Sequence, residues 1–189
     1  MKRESGFTLI EMVIGIIALM VSFSLVVTVL SPQASRSVDP MLQVRAAELG
    51  QALIEEIYGK AFDEQSTRVF GVARCSEVGL GAQNCTVIPQ SCASGITSAT
   101  EESARALFDD VDDYHCLSQS GSTIQTSLGV GLPIYEGFSI TVQVQYDSDM
   151  NGVTSSIPET TGSIAKLITV SVTTPVQDTL VFSTYKFNY

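Results

Sequence analysis

An apolar run from Met12 to Leu30, begun immediately after the acid Glu11, constrains this chain more than any other stretch. It is roughly twenty residues long, enough to cross a bilayer as a helix. Lys2 and Arg3 precede it, which gives the amino terminus the look of a secretory signal peptide. The length of the run and the lack of a small-residue cleavage pattern after it point instead to a retained span. Glu11 argues the same way. A carboxylate at membrane depth costs about 2.5–3.5 kcal/mol on insertion scales, so its presence there implies a use.

The residues leading into the run read Gly6-Phe7-Thr8-Leu9-Ile10-Glu11. This pattern resembles the type III signal of type IV pilins and type II secretion pseudopilins. The resemblance implies that a prepilin peptidase cuts between Gly6 and Phe7 on the cytoplasmic side, and that Phe7 becomes N-methylated. It implies that Glu11 pairs with the amino terminus of a neighbouring subunit, which suits a carboxylate needing a partner in an apolar setting. It also implies an α+β, pilin-like fold. In that fold a long amino-terminal helix, half transmembrane and half amphipathic, is packed on an antiparallel sheet. The expected divisions are a leader at 1–6, a transmembrane helix at 7–30, a linker with the amphipathic half-helix at 31–60, and a periplasmic or extracellular domain at 61–189.

The formal charge is −10, and loss of the first six residues would make it one unit more negative. Such a balance opposes wrapping by nucleic acid and polybasic contact with anionic lipid. The positive residues ahead of the span keep the amino terminus in the cytoplasm and put the rest outside, anchored in the inner membrane before assembly. In that oxidising compartment Cys75, Cys85, Cys92 and Cys116 are expected as two disulfides; their spacing lacks a C-x2-C pair and does not suit zinc. Four cysteines allow three pairings and sequence does not choose among them; nearest-neighbour pairing is the preferred expectation.

Ser31 to Pro40 is polar and holds Pro32 and Pro40, so a kink or local melting is expected there, with a restart at Asp39-Pro40. Leu42, Ala46, Leu49, Leu53 and Ile57 then recur at helical steps, and Gly59 is placed to cap the end. Residues 61–100 are rich in turn formers. A second helix is expected from Glu101 to about Val111, with Ala104, Leu107, Phe108 and Val111 on one stripe. It runs into an acidic segment where Asp109 and Asp113 would lie side by side, calling for a cation, an arginine or water to compensate. From Phe138 the period becomes two. Phe138–Tyr146, Ala165–Thr174 and Thr179–Phe187 read as three strands of an antiparallel meander.

Asp147-Ser148-Asp149-Met150-Asn151-Gly152 matches the first half of an EF-hand loop, with Asp147, Asp149 and Asn151 as oxygen donors to calcium. Position twelve is Pro158 rather than glutamate, and a strand leads in, so a pilin-type calcium loop competes with a solvated turn. No other cofactor is expected. His115 is the only histidine and lies in no nucleophile-elbow pattern, so enzymatic activity is not expected. Two functions are consistent with these residues. One is a structural minor subunit, of a pilus or of a type II secretion pseudopilus, that initiates or assembles a filament. The other is an adhesin displayed at a filament tip. The expected partners are other pilin subunits, major and minor, with the prepilin peptidase and the inner membrane.

Overall fold

The computed structural model describes residues 8–36, 39–66, 71–92, 102, 104–157 and 164–188. The chain forms two compact units, Met1–Met41 and Leu42–Tyr189. The first holds helix α1, Leu9–Arg36. Its hydroxyls bond back to their own helix: Ser22 Oγ donates to the Ala18 carbonyl at 2.8 Å and Thr28 Oγ1 to the Ser24 carbonyl at 2.6 Å. These two hydroxyls are thereby satisfied without a partner in lipid. The helix continues through Pro32, where the sequence suggested melting. One missing bond in the last turns of a 28-residue helix disturbs it less than opening the turns beyond would. The rest of the expected break, residues 37–38, lies outside the described residues.

Helix α2 spans Asp39–Tyr58. Its buried stripe is Ala46, Leu49, Leu53 and Ile57, as the helical spacing implied, with Leu42 and Ile54 partly buried beside it. Gly50 lies against Phe182: a Cβ at this position would sit 2.3 Å from the ring, so only glycine permits the approach. Gly59 follows the helix without adopting a left-handed φ. Gly59 N–H donates to Glu55 O and Lys60 N–H to Ile57 O, each at 3.0 Å, and Lys186 Nζ donates to the last helical carbonyl, Tyr58 O, at 2.6 Å and to Lys60 O beyond it at 3.1 Å.

Four antiparallel strands, in the order β1-β2-β3-β4, form the sheet: Ser118–Ser120, Ser139–Tyr146, Ala165–Thr173 and Thr179–Phe187. The short edge strand β1 carries no two-residue pattern of its own and was not expected. Ile140, Val142, Val144 and Tyr146 point inward with Ile168, Val170 and Val172, and join the α2 stripe in one core. The fold class is thus α+β.

The helix expected over 101–111 is absent from the described residues of that stretch. Two short 3-10 turns, Arg105–Leu107 and Asp112–Tyr114, stand there instead. The reason is chemical. Asp113 Oδ2 accepts the amides of Asp109 and Asp110 at 2.9 and 3.2 Å, and Asp110 Oδ1 accepts those of Asp112 and Asp113 at 2.7 and 3.2 Å. Aspartates that bind nearby amides offer the backbone an alternative to the helical ladder. The Asp109 and Asp113 carboxylates still lie within 4.8 Å of each other, and the two amides that Asp113 Oδ2 accepts offset part of that repulsion.

Candidate functional site

The apolar part of α1, Leu9–Thr28, is 20 residues long and none of it is buried within the protein. At 1.5 Å per residue it measures about 30 Å, the thickness of a bilayer's hydrocarbon core. Glu11 lies in its first turn with its side chain exposed. Thr8 O accepts the amides of Glu11 and Met12 at 3.1 and 3.2 Å, so the helical ladder is already established at the acid. Gly6 and Phe7, the expected cleavage pair, lie outside the described residues.

The cysteines close as Cys75–Cys85 and Cys92–Cys116, and no free cysteine is left. The first staples the turn-rich segment after α2. Asn188 donates to Cys75 O at 3.2 Å and Arg74 to Asn188 O at 3.1 Å, which ties that segment to the end of β4. The second reaches from the same region to the start of β1. Beside it His115 is buried and its Nδ1 accepts the Val144 amide at 3.1 Å, prolonging the β1–β2 ladder with a side chain. Burial holds its pKa below the ordinary value, and a ring that accepts at Nδ1 is neutral.

Behind the sheet is a charged cluster whose members the sequence does not announce. Lys166 Nζ is fully buried and donates to Asp112 Oδ1 at 2.5 Å, Asp63 Oδ2 at 3.1 Å and Phe62 O at 2.6 Å, above the Phe62 ring. Asp63 also accepts the amides of Gln65 and Thr86 at 3.0 and 2.9 Å. Burial alone would raise its pKa; Lys166 and the two amides outweigh that and hold it below the ordinary carboxylate value. Asp112 is pushed well up by burial, against the pull of Lys166. Asp110 rises to about 6 through burial and the nearby Asp113. Arg105 forms a second buried pair, 2.6 Å from Glu56 Oε1, its guanidinium over the Tyr114 ring.

At the rim of this cluster Glu102, Asp109 and Asp113 bring carboxylate oxygens within 4.8 Å of one another. Glu102 is raised to about 8, first by its hydrogen bond with Asp113 and then by burial. The other loop of interest follows β2. Asp147 Oδ1 accepts the Asn151 amide at 3.1 Å, and Oδ2 accepts Gly152 N–H at 3.0 Å and Tyr185 O–H at 2.7 Å. Asn151 donates to Asp149 Oδ2 at 2.6 Å. The three predicted oxygen donors do share one turn, and each accepts at least one hydrogen bond from within it. Tyr185 holds the Asp147 carboxyl below its ordinary pKa.

No protein-family model, no curated protein and no solved structure matches the chain. What the chain itself offers, among the described residues, is one helix apolar enough for a single membrane span or anchor, two disulfides, and an α+β fold with a helix packed on an antiparallel sheet.

Proposed function

We propose that the chain is a minor pilin subunit of a type IV pilus of the mannose-sensitive haemagglutinin (MSHA) type, similar to MshD, with a structural role in starting or assembling the filament. The observation that carries this reading is Glu11 in the first turn of an apolar helix, four residues after Phe7 in the order Gly-Phe-Thr-Leu-Ile-Glu. The run Gln43-Val44-Arg45-Ala46-Ala47-Glu48-Leu49-Gly50-Gln51 and the acidic run Asp109–Tyr114 support the narrower likeness to MshD. In this reading the prepilin peptidase removes residues 1–6 at the inner membrane, and the disulfide-bonded domain faces the periplasm and then the cell surface. Assembly draws the amino terminus of Phe7 to Glu11 of a neighbour, which offsets the cost of an unpartnered carboxylate among packed apolar helices.

Replacing Glu11→Leu tests it. The change keeps a helix-forming, membrane-compatible side chain while deleting the charge. Membrane insertion and leader cleavage should persist, and co-purification with partner pilins and incorporation into filaments should be lost. Normal incorporation of the variant would overturn the pairing role.

A further inference from the structure

Lys166 stands near the start of β3, and two carboxylates from elsewhere in the fold meet its amine: Asp63 from the segment after α2, and Asp112 from the 3-10 turn before β1. Nζ lies 2.5 Å from Asp112 Oδ1 and 3.1 Å from Asp63 Oδ2. The side chains of Lys166 and Asp63 are fully buried, and that of Asp112 is only 7% exposed. Aromatic rings close the space around the nitrogen, with the Phe62 centroid at 4.3 Å and the Tyr146 centroid at 5.2 Å. Asp112 Oδ2 accepts no hydrogen bond among the described residues. An ionised carboxylate with a bare oxygen is costly in such a place. The ion pair accounts for Oδ1 and leaves Oδ2 unexplained.

We propose that Lys166 and Asp112 condense into an intramolecular amide that joins Nζ to the Asp112 side-chain carbon, with Asp63 relaying the proton. Along the 2.5 Å hydrogen bond a proton passes from Nζ to Asp112 Oδ1. That leaves a neutral amine beside a neutral acid, the forms that a dry apolar site favours. Burial already pushes the Asp112 carboxyl well above its ordinary pKa, so it takes the proton readily. Cγ lies one bond beyond Oδ1, so the reacting atoms are held as neighbours and the entropic cost of their meeting is met by the fold. The Nζ lone pair adds to Cγ. Asp63 Oδ2 accepts a second proton from Nζ and returns it to Oδ1, whose bond to carbon breaks. One C–N bond forms, one C–O bond breaks and one water leaves, with no oxidant, reductant or activated donor. Oδ2 stays as the uncharged amide oxygen. Asp63 is restored as a carboxylate, still held by the amides of Gln65 and Thr86. Exclusion of water then protects the bond from hydrolysis. The amide ties residues 54 positions apart and, unlike the two disulfides, is indifferent to reductant. The ion pair is the state before condensation, and uncondensed chain is held by the pair alone. The inference stands independently of the pilus reading.

The test is peptide mass spectrometry of the full chain, purified from membranes in detergent with both disulfides closed, then denatured, reduced and digested with trypsin. Between Arg105 and Lys186 the only basic residue is Lys166, so an unmodified chain gives separate peptides that end at Lys166 and at Lys186. The proposal predicts one peptide from Ala106 to Lys186, uncut at Lys166 and lighter by one water. A second protease cutting between Asp112 and Lys166 should leave the two fragments joined under reducing conditions. In Asp63→Asn, compared only in chain whose disulfides have closed, this species should appear about 100-fold or more slowly after synthesis, as expected on losing a general acid–base group. Full sequence mass with complete cutting after Lys166 in the wild type would overturn the proposal. So would a lost water with Lys166 still cut, which marks cyclisation of an aspartate onto its own backbone. An unchanged rate in Asp63→Asn would overturn the relay.

Discussion

At the residue scale the domain depends on Lys166. A lysine withdrawn fully from water is tolerated because two carboxylates and a carbonyl receive its three protons. Removing it strands Asp63 and Asp112. Lys166→Met should therefore cost about 3–5 kcal/mol, the range for breaking a buried pair from one side. The triple change Lys166→Met, Asp63→Asn, Asp112→Asn should cost much less than the single change, and chemical denaturation of the three proteins checks this. A second prediction concerns Glu102. Its folded pKa of about 8 lies above its ordinary 4.5, so the folded state holds a proton that the unfolded state releases. The sign is that of a raised acid: its contribution is fully present below about pH 4.5 and is lost as pH rises towards 8. Glu102→Gln keeps the neutral form at every pH. The melting temperature of the variant minus that of the wild type should rise steadily from pH 4.5 to 8; a flat or falling difference would refute the raised Glu102 pKa.

Lys166 also shows where sequence reading stopped. Two-residue alternation picks out Ile168, Val170 and Val172 as the inner face of β3, and the same parity carries Lys166 inward with them. The signal was present, but a charge at a core parity is easily set aside without a visible partner, and the partners come from residues 54 and 103 positions away. Nothing local in Asp63 or Asp112 indicates that they meet.

At the element scale, the elements with strong periodicity were legible: the α2 stripe and the three long strands stand where their patterns put them. The acidic segment was not, because its apolar spacing suits a helix while its aspartates favour turns, and side-chain hydrogen bonds decided the contest. The turn after β2 carries an element-scale prediction. If Asp147, Asp149 and Asn151 gather around calcium, the ion must take lone pairs that the amides of Asn151 and Gly152 leave open on the Asp147 oxygens. Calcium at millimolar concentration should then raise the melting temperature of the wild type and leave Asp147→Asn unmoved. An unchanged wild-type melting temperature would assign the motif to turn formation alone.

At the scale of the whole molecule, the chain joins two physical regimes. One helix has no buried residue in its apolar stretch and can be stabilised only by lipid or by other helices. The remainder is a disulfide-stapled α+β domain whose core is closed by α2 and the sheet. The apolar run was readable at once, since length and hydrophobicity alone define it. What the proposed function adds at its leading end is processing rather than folding. Mass spectrometry of the mature amino terminus decides whether the chain is, as proposed, a pilin-type subunit cut and methylated before assembly. The protein should be isolated from cells that carry a prepilin peptidase. The expected species is a chain beginning at Phe7 with one methyl group on its nitrogen. A chain that still begins at Met1 in those cells, or one cut after the apolar run, would contradict it.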